Sequence, residues 1–224
     1  MPDFELDEVD FLSLLSEANR RRVLENSTKS VYPAGAIAYH PEGPPRTFVL
    51  DHGLVRAYAS VPDGRQATIA FFHANELIGA TAIVSRPPRI TIQVVVKSTL
   101  TSLDLHKARA LASTENQVAT AIAVHLSAFA RKAARVIAVR SLGDIKQRLA
   151  YDLLDRACQA QLVVGRLECR ATHAELADSI GSAREVVGRA LSRLRDEGIV
   201  ENAPGLVRVV DPLRLAGIVR AFTV

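Results

Sequence analysis

Residues 172–195, THAELADSIGSAREVVGRALSRLR, constrain this chain most: two short amphipathic segments meet at a glycine, and arginines crowd the second. Ala177 is small enough to let two helices approach, and Gly181 stands where a tight turn needs a residue tolerant of positive φ. Val187, Leu191 and Leu194 form an apolar stripe at helical spacing, while Arg184, Glu185, Arg189 and Arg193 occupy the other face. Guanidinium groups donate in pairs to guanine edges and a carboxylate accepts from a cytosine amino group, so the pattern predicts a helix-turn-helix facing double-stranded DNA. Gly198 ends the second helix. Residues 199–210, turning at Asn202-Ala203-Pro204-Gly205, predict a hairpin wing with Ile199, Val200 and Glu201 on one strand and Leu206, Val207, Val209 and Val210 on the other.

The rest of the chain has two other rhythms. Phe11, Leu12, Leu14, Leu15, Val23 and Leu24 predict one or two short amphipathic helices near the start. From Ser30 to Leu105, β-rich runs (FVLDHGLVRAYAS, ATIAFF, RITIQVVV, LTSLDL) are punctuated by turns at residues 33–35, 41–45, 63–64 and 86–88, which predicts an antiparallel barrel or jelly roll. Residues from about 113 to 140 contain no proline or glycine and predict a long helix. Val118, Ile122, Leu126, Phe129, Ala133 and Val136, spaced 4, 4, 3, 4 and 3 apart, draw a seam along it, with Arg131, Lys132 and Arg135 facing elsewhere. That seam would pair with its twin in a homodimer or pack against the chain's own β-domain. Gly143 breaks the helix, Asp144 suits the cap of the next one from Ile145 to about Cys158, and residues 141–144 read as a hinge. The expected class is α+β, with a β-barrel domain over 1–112, a dimerisation helix over 113–140 and a winged helix-turn-helix over 141–224.

Composition narrows the function classes. With 224 residues, 48% hydrophobic and 23% charged, the chain can bury one large core or two modest ones. Apolar runs such as Ile90–Val96 fall far short of the ~20 residues a bilayer span needs, and the acidic opening MPDFELDEVD lacks the basic start of a signal peptide. The expectation is a cytoplasmic protein with no membrane partner. Cys158 and Cys169 form no CxxC pair and supply no zinc or cluster ligand set; a disulfide between them is disfavoured in a reducing compartment. His40, His52, His73, His106, His125 and His173 are isolated, so no metal ligation is expected. A net charge of +4 favours a polyanionic partner only mildly.

A barrel, a long helix and a winged helix-turn-helix in this order resemble the Crp-Fnr family of bacterial transcription regulators. The sharpest likeness is Gly181-Ser182-Ala183-Arg184-Glu185-Val186-Val187-Gly188-Arg189. The resemblance implies that Arg184 and Arg189 read guanine and Glu185 reads cytosine in a TGTGA-like half-site. Arg193 would lie on the same DNA-facing side, and Ser182 and Thr172 would act as phosphate-contacting caps. It also implies a homodimer on a near-palindromic operator, with half-sites roughly 34 Å apart, and RNA polymerase as a partner.

The family's cyclic-nucleotide pocket is only partly matched. Glu76-Leu77-Ile78-Gly79 follows its pattern, but Ala80 replaces the carboxylate that would hold a ribose hydroxyl, and the later arginine pair survives only as Arg89-Ile90-Thr91. On the long helix, Phe129, Ala133 and Ala134 present an apolar wall where polar readers of adenine are expected. Gly79, Ala80, Arg89, Thr91, Phe129, Ala133 and Ala134 are therefore the candidate effector pocket, and cyclic AMP is not the expected ligand. Another small acidic or aromatic molecule, a different nucleotide, or no effector remain open. No cofactor is implied, because the N-terminus lacks the cysteines of the oxygen sensor and no histidine stands where the haem sensor needs one.

Two rival functions compete with this reading. A cupin-like metal enzyme needs clustered histidines, and the chain has no HxH pair; GxSxG, GxxxxGK and HExxH are also missing, so no catalytic residue is expected. An architectural or constitutive DNA-binding protein is the second rival. Glu185 argues against non-specific coating, because a carboxylate in a groove repels phosphates and helps mainly by choosing a base.

Overall fold

The computed structural model describes residues 10–222; the acidic opening before Asp10 lies outside them. A 3-10 turn at Leu12–Leu14 and helix α1 (Glu17–Leu24) come first, matching the expected short helices. Eight strands follow: β1 (Thr28–Tyr32), β2 (Ile37–Tyr39), β3 (Phe48–His52), β4 (Val55–Ser60), β5 (Gln66–Phe72), β6 (Leu77–Ile78), β7 (Thr91–Val94) and β8 (Ser98–Ser102). They form two four-stranded sheets, ordered β1-β8-β3-β6 and β2-β7-β4-β5. The pairs β1–β8, β8–β3, β3–β6, β2–β7 and β7–β4 run antiparallel. The result is a jelly-roll sandwich, the open form of the expected barrel or jelly roll.

Alternation along β3 shows why both sheet faces are apolar. Phe48 and Leu50 enter a core with Val55, Ala57, Phe72, Ile92, Val94 and Leu100, whereas Val49 points to a second core with Phe11, Leu77, Ile83, Val118 and Ile122. Each such side chain contributes roughly 1.5–3 kcal/mol by leaving water. Between β6 and β7 sits a helix the sequence reading missed, α2 (Ala80–Val84), entered through Gly79 at φ +76°. A Cβ on Gly79 would stand 2.6 Å from the Arg46 carbonyl, so both the backbone angle and the close approach require glycine.

The long helix expected over about 113–140 is α4 (Asn116–Leu142), and a further helix that was not expected, α3 (Leu105–Thr114), precedes it. Asp104 caps α3, and extended Glu115 separates the two. The apolar seam read along α4 turns inward: Val118 and Ile122 join the core that holds Val49, Leu126 packs against it, and Phe129 packs against the other core. These four of the six seam residues therefore serve the chain's own β-domain. Solvent instead meets Thr120, Ala123, Ser127, Ala130, Ala134, Ile137 and Ser141, alternating three and four residues apart.

Two compact units result, one ending at Arg131 and one running from Lys132 onward, the latter grouped with Gln66–Thr68. Within the second, Lys132 and Arg135 are buried rather than solvated, and the Arg135 Nε donates to the Phe222 carbonyl at 2.8 Å. Helix α5 (Ile145–Val164) starts at Asp144 with a capping box to Gln147 and extends past Cys158, because Leu149, Leu153, Leu154 and Cys158 keep its inner face apolar. Strand β9 (Glu168–Cys169), helices α6 (His173–Ile180) and α7 (Arg184–Asp196), strands β10 (Val200–Ala203) and β11 (Leu206–Val209) and helix α8 (Pro212–Arg220) complete it. The wing is a three-stranded sheet, β10-β11-β9, in which only the hairpin was expected.

Candidate DNA interface and the cavity of the β-domain

Helix α6 is capped from both directions. The Thr172 hydroxyl accepts from the Glu175 N–H at 3.2 Å, and the Glu175 carboxylate accepts from the Thr172 N–H at 2.7 Å and its hydroxyl at 2.9 Å. Those donated bonds, the backbone one foremost, hold the Glu175 carboxyl below its ordinary value of 4.5. Gly181, at φ +60°, ends α6, and the Ser182 N–H reaches the Ala177 carbonyl at 2.9 Å to close the turn. Helix α7 then starts at Arg184 with Ala183 in the cap position and no side-chain cap. Ser182 thus lies one residue before the cap, correcting its expected place at the helix start.

Packing orients α7. Val187, Leu191 and Leu194 are fully buried, and Gly188 faces His173 of α6, whose Nδ1 would sit 3.6 Å from an added Cβ. Their burial turns Arg184, Glu185, Arg189 and Arg193 to solvent. Among the described residues none of these four side chains forms an ion pair or hydrogen bond, in contrast to the wing, where Arg208 is held by Glu168 and Glu201. Glu185 and Arg189, four residues apart, rise from one side of the helix with Arg184 beside them. Behind α7, Asp152 of α5 accepts from Ser179 and Arg156, and Lys146 grips the Glu197 carboxylate at 2.7 and 3.0 Å. The face is a protruding, uncommitted set of three cations and one anion on a braced helix, suited to base edges in a groove.

The first unit holds a cavity between its sheets and α4. Phe48, Phe72, Ile78, Ile90, Ile92 and Phe129 supply apolar walls, Pro87 and Pro88 border it, and Tyr39, Arg46, Thr81 and His125 are its side chains with polar atoms. Phe72 and Phe129 lie nearly parallel, their centroids 6.1 Å apart. His125 is tied into the wall, its Nδ1 accepting from the Leu77 N–H at 3.4 Å and its ring meeting Phe11 edge-on. The space is narrow: the volume open to the centre of a water molecule is about 50 Å³.

Of the expected pocket residues, Gly79, Ala80 and Phe129 line this cavity. Arg89 and Thr91 do not: Arg89 is exposed with Glu42 3.8 Å away, and Thr91 is buried in β7. Ala133 and Ala134 belong to the second unit, and Ala134 is exposed. Arg46, Phe48 and Phe72 were missed, since only the sheet register brings them together. No group of three His, Cys, Asp or Glu side chains is placed to hold a metal among the described residues, and no helix there is long and apolar enough to cross a membrane. Cys158 and Cys169 are buried and not joined in a disulfide, and burial pushes the Cys169 thiol up to about 12.

A braced winged helix-turn-helix and a jelly roll joined through a long helix define a class, the two-domain transcription regulator with a helix-turn-helix DNA-binding domain. Family models agree on both parts: a Crp-like helix-turn-helix domain matches residues 147–218 and a cyclic nucleotide-binding domain matches residues 29–115. The cyclic AMP receptor protein of Thermus thermophilus is 30% identical over 183 residues, covering 81% of this chain and 83% of its own. The chain belongs to the Crp/Fnr family of transcription regulators. Two solved structures share its fold. One, from Eubacterium rectale and assigned to the crp/fnr family, superposes with a TM-score of 0.60 at 19% identity, covering 95% of this chain and 99% of the other. The c-di-GMP-responsive global regulator CLP of Xanthomonas campestris gives a TM-score of 0.54 at 21% identity over 87% of this chain and 99% of its own.

Proposed function

We propose that the protein binds a near-palindromic, TGTGA-like operator as a homodimer, with Arg184 and Arg189 donating to guanine edges and Glu185 accepting from cytosine. Arg193, Ser182 and Thr172 serve the phosphate backbone, and RNA polymerase is the partner on the promoter. The observation that carries this reading is the exposed, unpaired set of Arg184, Glu185 and Arg189 on α7. The twin chain would pair along the exposed stripe from Thr120 to Ser141, whose side chains apart from Ile137 are small and let two helices come close, with Ile137 offering apolar area to bury. Residues 1–112, 113–140 and 141–224 then act as sensor, dimer helix and DNA-binding domain.

The cavity of the β-domain is the effector site in this reading, and cyclic AMP is not its ligand. Ala80 offers no carboxylate to a ribose hydroxyl, and no acidic or amide side chain lines the cavity. Each polar adenine edge buried there without a partner would cost about 1–3 kcal/mol. The Thermus relative is named for cyclic AMP and the Xanthomonas regulator for c-di-GMP, so ligands differ among proteins of this fold.

Selection from random DNA, followed by fluorescence anisotropy on the selected site, tests the proposal. Arg184→Ala should lose about 1–3 kcal/mol on the cognate site and relax preference at one base, whereas Ser182→Ala should weaken cognate and random DNA alike. Equal losses on both DNAs for Arg184→Ala, or selected sequences without a palindrome, would overturn it in favour of an architectural role. Saturable micromolar cyclic-AMP binding coupled to tighter DNA binding would overturn the effector reading alone.

A further inference from the structure

If the cavity of the first unit is the effector site, as proposed above, its lining specifies the chemistry of what enters. We propose that it takes a small apolar monocarboxylate, with the hydrocarbon end among Phe48, Phe72, Ile92 and Phe129 and the carboxylate at Arg46.

The walls decide the first half. Phe48, Phe72 and Ile92 are already less than a tenth exposed, and the narrow, apolar-walled space suits a slim apolar body. A sugar, a nucleotide or a polyol would bury hydroxyl or ring edges against phenyl and isoleucine side chains and lose their bonds to water. An amine would fare no better, because no carboxylate lines the cavity.

Arg46 decides the second half. It lines the cavity while its side chain stays exposed, its guanidinium resting 5.3 Å from the Phe48 ring centre. Among the described residues it has no acidic partner, unlike Arg89, which has Glu42. A guanidinium presents two parallel N–H groups that match one carboxylate, and its place over an aromatic ring fixes it at the boundary between apolar and wet surroundings. Arg86, also without an acidic partner there, precedes Pro87 on the bordering loop and adds positive charge near the opening. A single anionic head on an apolar tail fits this division of labour.

The full-length protein is titrated calorimetrically with 4-phenylbutyrate and octanoate, which separate aryl from acyl tails, and with 4-phenylbutan-1-ol and octan-1-ol as neutral counterparts. At least one acid should saturate a single site per chain, raise Tm, and shift the methyl NMR signals of Ile78, Ile90 and Ile92. Its alcohol should bind at least about tenfold more weakly, a difference of about 1.4 kcal/mol. Arg46→Gln, at an exposed position, should leave the ligand-free Tm unchanged and bring the acid down to the level of the alcohol. Equal binding of acid and alcohol, no saturation by either acid at millimolar concentration, or unchanged acid affinity in Arg46→Gln would each overturn the proposal. DNA anisotropy on the same samples separates the two readings. Failure of the acids while Arg184→Ala still relaxes base preference removes only the ligand assignment, whereas failure of both removes the proposed operator reading by α7 as well.

Discussion

Single side chains in this protein are set by what surrounds them more than by their type. Cys169 lies in β9 against α5, and desolvation raises its thiol to about 12, so almost no thiolate exists at neutral pH. Cys158 is buried as well. Neither thiol should react with Ellman's reagent over minutes in native protein at pH 8, and both should react once urea unfolds it; rapid native labelling would contradict the burial. Arginines divide the same way. Arg208 is neutralised by Glu168 and Glu201, and Arg135 is used up inside the second unit, whereas Arg184, Arg189 and Arg193 keep their donors for something else. Counting arginines could not separate these groups; packing does.

Among the elements, α6 shows how a short helix is made to stay. Eight residues are too few for a stable isolated helix, so the Thr172–Glu175 box and the Gly181 turn carry much of the local definition. Because the folded-state pKa of Glu175 is lowered, its contribution is complete above the unfolded value of 4.5 and disappears as the pH falls through the lower folded value. Urea melts should therefore show Glu175→Gln less stable than the wild type at pH 7, with the difference shrinking as the pH is taken progressively below 4.5. A difference that grows on acidification would refute the capping role. Similar signals explain two missed helices: Asp104 before α3 and Asp211-Pro212 at the start of α8 are cap signatures legible in the sequence. Strand β9 has no such signature, since two residues added to the hairpin edge leave no periodic trace.

On the scale of the molecule, α4 carries the clearest prediction. Val118, Ile122, Leu126 and Phe129 pack into the first unit, and the exposed stripe from Thr120 to Ser141 carries alanine, serine, threonine and one large side chain, Ile137, at heptad spacing. Ala130→Glu would place two like charges on facing helices, so sedimentation should show monomer replacing dimer, with operator affinity falling at least about tenfold. A dimer that survives this change and binds DNA normally would move the interface elsewhere. The helix also shows what periodicity leaves open. A seam of valine, isoleucine and leucine says that a face is buried, not against what, and here Val118, Ile122, Leu126 and Phe129 pack within the chain's own first unit.

The sequence alone determined the order of jelly roll, long helix and winged helix-turn-helix, and the exposed, arginine-rich face of α7, because helix ends and helix faces depend on neighbours within one or two turns. Gly181 ends a helix and Leu191 buries its face whatever lies far away. The cavity was decided only by the tertiary structure. Arg46, Phe72 and Phe129 are dozens of residues apart, and sheet register and the docking of α4 place them on one void. The same is true of the exposed stripe on α4 proposed to face the twin chain, which stays open because Val118, Ile122, Leu126 and Phe129 pack inside the chain.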